Sequence, residues 1–353
     1  MNKITRVSAL GLGMTYAGCF FGAGYISGKE LYEFFGSFGT KGFLGVLLSI
    51  FLFFIFGSIL IRNVQLSGKS SFDEAIIMGN FPKLRILLGF VTVFIMFGIL
   101  VVMAAGAGAL INQVFDLPHF VGCAIFSLLV CLAAMFGISG AVKVFSTMVP
   151  ILVMITLVIC GITISKYGIN LDYPSTNTNP LISNWWFSAI TYVSYNIITL
   201  IGTIIPVGVF IKKKSTVYGG ILLGCIFALS IATGILLAVT SVFSSVAAEL
   251  PMLEIAFRLN DVFGYIYAIL LLMAMFGTSL ASLVAIIIYL EERSVKFSEK
   301  KNIYIYLLGI AAFLFSLAGF GNLVNTVYPL FGYVGFVILA FILGNFIYLK
   351  LKK

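Results

Sequence analysis

Apolar residues run along this chain in long blocks, separated by short stretches of turn residues and charge. Each block has the length of a helix that crosses a bilayer. Ten are predicted, at 7–29, 42–61, 84–112, 119–138, 143–165, 184–206, 216–240, 261–290, 302–319 and 323–349. The third and eighth are long enough to require tilt or extension past the hydrocarbon. The tenth has a glycine-rich first half that favours a bend.

One stretch departs from the helical pattern. Tyr16–Glu30 reads Y-A-G-C-F-F-G-A-G-Y-I-S-G-K-E and carries Gly18, Gly22, Gly24 and Gly28 where the first span crosses the bilayer midplane. Each glycine costs a helix about 1 kcal/mol relative to alanine. Unpaired backbone groups are tolerated at that depth only where protein or a cavity shields them. The expectation is a first helix that stops and restarts around Gly22-Ala23-Gly24 and faces a ligand, although small residues would equally admit a tightly packed neighbour. In the broken form, free N–H groups of the outer half suit an anionic group, and free carbonyls of the inner half suit a cation.

Composition narrows the class. The chain has 353 residues, 61% hydrophobic and 9% charged, with a mean hydropathy of +1.16. That excludes a soluble globular fold and leaves an all-α polytopic membrane protein, a single membrane domain over 1–353. No cleavable leader is expected, since the basic N-terminus lacks a small-residue cleavage site. Cys19, Cys123, Cys131, Cys160 and Cys225 lie in apolar runs without metal-ligand spacing and are expected as small core residues. No zinc, phosphate-loop or paired-carboxylate signature is present, and the one histidine, His119, sits at a helix start beside Pro118. An enzyme is not expected.

Charge sets the topology. Of the 21 lysines and arginines, only Lys29, Lys41, Lys166 and Arg258 fall on the side opposite the N-terminus, and the other seventeen share its side. Both termini are therefore expected in the cytoplasm, with the protein in the cell membrane. The net charge of +9 is accounted for by anchoring to anionic lipid headgroups, with no nucleic acid as partner.

The two halves resemble each other. Gly140, Thr147 and Pro150 recur as Gly319, Thr326 and Pro329, all at an offset of 179 residues, and Thr40 near the second span matches Thr216 at 176. Five spans per half force opposite orientations, so an inverted repeat is expected, with units at 7–166 and 184–349. Broken first helices of such repeats are a recurring transporter device. The second copy's first helix is the polar sixth span, with Tyr192, Ser194, Tyr195, Asn196, Thr199 and Thr203. Tyr192, Tyr195 and Asn196 share one turn and are expected to line a pocket, with Tyr16 joining them. In the eighth span Thr278 and Ser279 offer hydroxyls to a cation, or bond back to their own helix. Glu30 is the best acidic gate or relay candidate, set against a surface-facing helix end. Lys143 is expected near the cytoplasmic surface, where it can snorkel.

The G-A-G-Y-I-S-G-K-E segment closely resembles the first-helix signature of bacterial YkvI-like membrane proteins, a group that looks like a branch of the amino acid–polyamine–organocation superfamily. Gly22-Ala23-Gly24 also resembles the glycine-small-glycine motif of its amino acid permeases. The resemblance implies the five-plus-five architecture named for the leucine transporter, with solute held between broken first and sixth helices. It implies a sodium ion held by Gly18, Phe21 and Met275 carbonyls with the Thr278 and Ser279 hydroxyls. It further implies that Ala23 and Gly24 amides receive a solute carboxylate. The expected function is sodium-coupled symport of an amino acid or related small zwitterion or amine by alternating access. Two rivals remain: a proton-coupled or exchanging carrier of the same fold, and a small-ligand receptor or scaffold that moves nothing.

Overall fold

The computed structural model describes residues 8–67, 82–135, 139–208, 210–211, 213–291, 297 and 299–352, excluding the side chains at 82, 85, 139–149, 202, 203 and 206. The side chains of Lys143, Thr147 and Thr203, singled out above, lie outside the described residues. Among the described residues the regular structure is entirely helical.

The first span is three short helices: α1 (Ala9–Gly18), α2 (Ala23–Ile26) and α3 (Lys29–Phe34). Ser8 caps α1 by accepting the Gly11 N–H at 3.0 Å. After Gly18 the chain runs irregularly to Gly22, whose backbone is extended, and α2 begins there. Gly28 then takes a left-handed φ of 81° that re-aims α3. Other elements satisfy the irregular backbone in place of water. The Tyr267 hydroxyl donates to the Ile26 carbonyl at 2.7 Å and the Met252 N–H to the Ser27 carbonyl at 2.9 Å. The Tyr25 hydroxyl reaches the Ala228 carbonyl at 2.6 Å. Burying such a segment requires partners of this kind.

Among the described residues ten further α-helices follow: α4 (Lys41–Ser67), α5 (Pro82–Phe115), α6 (His119–Met135), α7 (Ser139–Tyr167), α8 (Trp185–Gly208), α9 (Lys214–Ser241), α10 (Pro251–Leu259), α11 (Asp261–Glu291), α12 (Lys301–Ser316) and α13 (Phe320–Leu351). Among the described residues six helices, Lys41–Ser67, Ile86–Phe115, Pro150–Tyr167, Lys214–Ser241, Asp261–Glu291 and Phe320–Leu351, are long and apolar enough to cross a membrane. Helices α6 and α12 are apolar but shorter, at 17 and 16 residues. The short amphipathic α10 lies between α9 and α11 and was not among the expected elements.

The sixth span corrects an expectation. Helix α8 is continuous for 24 residues, with no break through Tyr192–Asn196. Four of its polar side chains are satisfied by the helix itself. Thr191, Ser194 and Asn196 donate to the carbonyls of Phe187, Ile190 and Tyr192, and Thr199 donates to that of Asn196. Polarity was expected to mark unwinding, but back-bonding satisfies these groups without breaking the helix.

Helix α1 packs along α9, α4 along α8 and α13, and α5 along α11. At Gly332 and Gly335 of α13 a β-carbon would strike the backbone of Thr191 and Ser194, so the absent side chains set how closely α13 approaches α8.

Candidate functional site

A cavity of about 560 Å3 lies against the interruption of the first span. Gly18, Phe21, Gly22 and Gly24 line one side, Tyr195 and Asn196 of α8 another, and Gly277, Thr278 and Ser282 of α11 a third. Glu30 and Tyr328 also line it. Gly18, Ala281 and Ala285 are exposed, whereas Gly24, Glu30, Tyr195 and Tyr328 are buried. The cavity is therefore open beside Gly18, the last residue of α1, and along the C-terminal part of α11, and closed at Glu30.

The expected solute residues divide. Gly22, Gly24, Tyr195 and Asn196 line the cavity. Ala23 is fully buried, outside the lining. Tyr16 is a core residue: its hydroxyl donates to the Phe53 carbonyl at 2.7 Å, and Gly57 and Gly224 make room for its ring. Tyr192 faces a second, much smaller void with Phe20, Phe35 and Phe53. Both rings lie in aromatic packing that only the assembled helices define, that of Tyr192 against Tyr195 and with its hydroxyl toward Glu30.

The expected sodium ligands also divide. Gly18, Phe21 and Thr278 line the cavity, while Met275 and Ser279 are fully buried beside it. Among the described residues the Gly18 and Phe21 carbonyls accept no backbone hydrogen bond. The Ser279 hydroxyl is buried with no hydrogen-bond partner. Such orphaned oxygens are what a hard cation binds. The Thr278 hydroxyl instead donates to the Ala274 carbonyl at 3.0 Å, which still leaves its oxygen lone pairs.

Glu30 is the candidate that sequence reasoning underweighted. It is 5% exposed, not at a surface-facing helix end, and its Oε1 accepts the Tyr195 hydroxyl. Its Oε2 lies over Gly24, where a β-carbon would collide with it. The Tyr195 and Tyr328 rings stack beside it with centroids 4.9 Å apart and planes at 23°. Among the described residues the ion pairs are Lys29–Glu33, Arg258–Glu254 and Lys301–Glu291, and none involves Glu30. The signal was available, since Glu30 follows the glycine segment directly. Ending the first span at residue 29 placed the carboxylate at its end.

The remaining candidates are structural. His119 Nε2 lies 3.0 Å from the Ala105 carbonyl, and four of the five cysteines are buried. Among the described residues no cluster of three or more histidine, cysteine, aspartate or glutamate side chains is placed to hold a metal ion.

No family model matches the chain. It is 28% identical over 347 residues to the uncharacterized membrane protein YkvI of Bacillus subtilis, covering 96% of this chain and 95% of that one. It is 25% identical over 336 residues to the uncharacterized protein YyaD of the same organism, covering 92% and 93%. Among solved structures it is similar to MhsT in complex with L-phenylalanine, with a TM-score of 0.62 and 18% identity over 94% of this chain and 88% of that one. The inward-facing conformation of Mhp1 gives 0.62 and 11%, covering 95% and 76%. An Eremococcus coleocola manganese transporter gives 0.60 and 14%, covering 93% and 78%. These neighbours are transporters. By sequence the chain is thus similar to the YkvI membrane protein, and by fold it is similar to transporters of the leucine-transporter architecture.

Proposed function

We propose that the chain is a secondary transporter that moves an amino acid or related small amine by alternating access, coupled to sodium. The observation that carries this reading is the cavity at the interrupted first span, open at one end and closed at the other. A carrier needs a solute site that one side of the membrane reaches at a time. No covalent chemistry is required: ion and solute together stabilise the closed state that permits the turn between conformers.

Gly18 and Phe21 carbonyls and the Thr278 and Ser279 hydroxyls are the proposed sodium ligands, with Met275 the least supported member because its carbonyl lies within helix α11. Gly22, Gly24, Tyr195 and Asn196 shape the solute site. With the N-terminus cytoplasmic, the open end faces inward.

Two features support the inverted repeat over 7–166 and 184–349. The matched prolines Pro150 and Pro329 both lie inside helices, α7 and α13. Contacts also obey the exchange of halves: α1 on α9 answers α8 on α4, and α7 on α9 answers α13 on α4. On this reading α10 is a peripheral helix, and α1–α3 form one interrupted span, for ten in all.

The test is a thermal-shift screen of purified protein against amino acids and small amines, with sodium or potassium as the sole cation. Bound ligand stabilises the folded state by mass action. Shifts that require sodium, and sodium-driven uptake of the same compound into vesicles, are expected. Hits indifferent to the cation point to proton coupling or exchange, and binding without uptake points to a receptor.

A further inference from the structure

We propose that Glu30 recognises the ammonium group of an organic amine, held between its carboxylate and the paired rings of Tyr195 and Tyr328. The inference rests on the transport reading above and narrows its solute class to cationic amines.

Electrostatics at the closed end of the cavity comes first. A carboxylate removed from water at membrane depth is costly unless a positive group pairs with it. No lysine or arginine pairs with Glu30 among the described residues, and the adjacent Lys29 is engaged by Glu33 at 3.3 Å. The acid faces the cavity without such a partner from the protein, so what neutralises it is a proton or a cation that arrives through the cavity.

Geometry specifies which cation. Oε1 is occupied by the Tyr195 hydroxyl, while Oε2 lies over Gly24, which has no side chain to displace it. The stacked rings of Tyr195 and Tyr328 stand beside the carboxylate, and aromatic faces attract alkylammonium groups. The cavity of about 560 Å3 has room for an organic body behind the ammonium, far more than a bare ion needs.

The same placement disfavours a solute carboxylate. The resemblance put that carboxylate on the Ala23 and Gly24 amides, but Glu30 already brings negative charge against Gly24. Helix α2 is only four residues long and contributes little positive potential to offset the repulsion. A zwitterion with its carboxylate at Gly24 would set two like charges together, which costs binding.

The test uses matched compounds that share one apolar body: phenethylamine, phenylalanine and 3-phenylpropionate, and then butylamine, norvaline and valerate. Purified full-length protein is titrated with each by thermal shift in sodium. The amines are expected to bind, the amino acids more weakly, and the acids not at all. Glu30→Gln is expected to weaken amine binding by roughly thirtyfold or more while leaving the ligand-free melting temperature unchanged or higher. Tyr195→Phe, which keeps the ring and removes the hydroxyl, is expected to weaken it a few-fold and serves if Glu30→Gln fails to fold. Amine binding that is unaltered in both variants, or no binding by any amine, overturns the proposal. So does a Glu30-dependent shift produced by sodium or acid alone, which would make this an ion site. Failure of the transport reading looks different: amines bind through Glu30, yet sealed vesicles take up none. Sodium-driven uptake of amino acids by Glu30→Gln at the wild-type rate would sink the ammonium site and leave transport standing.

Discussion

Gly24 and Glu30 are six positions apart, and packing brings the carboxylate of one over the bare α-carbon of the other. Gly22, two residues earlier, meets open space instead, since a β-carbon there would touch nothing within 4 Å. The two glycines therefore predict opposite outcomes. Gly24→Ala drives a methyl into Oε2 and is expected to displace Glu30, with at least a tenfold loss of amine affinity read by thermal shift. Gly22→Ala displaces no protein atom and is expected to leave the ligand-free melting temperature near that of wild type, whereas its methyl enters the solute space. The sequence marked both as glycines of one break and could not separate them. Their difference depends on where Glu30 folds, and that depends on the left-handed turn at Gly28, whose φ of 81° swings α3 back toward the break.

At the scale of elements, the interruption of the first span was legible because its cause is local. Four glycines within thirteen residues lower helix propensity wherever they occur. What keeps the interruption in one shape is not local. Tyr267 from α11 holds the Ile26 carbonyl, and Met252 from α10 holds Ser27. Tyr267→Phe leaves that buried carbonyl without its donor and is expected to lower stability by about 1–2 kcal/mol. The check is a fall in melting temperature in detergent, larger than for Tyr218→Phe at the exposed surface of α9. Helix α8 shows the converse limit. Its hydroxyls and amide suggested a second break, but composition does not reveal whether such groups bond to their own helix or to a ligand. The same ambiguity holds at Thr278, which back-bonds to Ala274, and at Ser279, which does not. Replacing both by alanine is expected to abolish any sodium-dependent thermal shift. Replacing Thr278 alone by serine, which keeps the hydroxyl, is expected to preserve it.

At the scale of the whole molecule, the asymmetry of the cavity makes a prediction about sidedness. Cys19 is half-buried in the cavity lining, whereas Cys123, Cys131, Cys160 and Cys225 are buried elsewhere. A membrane-impermeant thiol reagent is expected to modify Cys19 from the cytoplasmic face of inverted vesicles and not from the periplasmic face of intact cells. A bound amine is expected to slow the modification several-fold. Labelling from the outside alone would reverse the topology read from the lysines and arginines, and equal labelling from both sides would argue against a cavity closed at Glu30.

The sequence by itself determined the class of the molecule and the address of its site. Hydropathy and sparse charge require a membrane, and the clustered glycines favour an irregular segment within the first span. Such properties follow from transfer free energies and backbone propensities, which each residue carries with it. Tertiary structure decided which side chains of the polar helices reach the cavity. It turned Tyr195 inward and Tyr16 and Tyr192 into the aromatic core, kept α8 continuous, and brought Glu30 from the end of the first span to the closed end of the cavity. These outcomes depend on contacts between residues far apart in the chain, set by how closely whole helices approach, and no local property of the sequence encodes that distance.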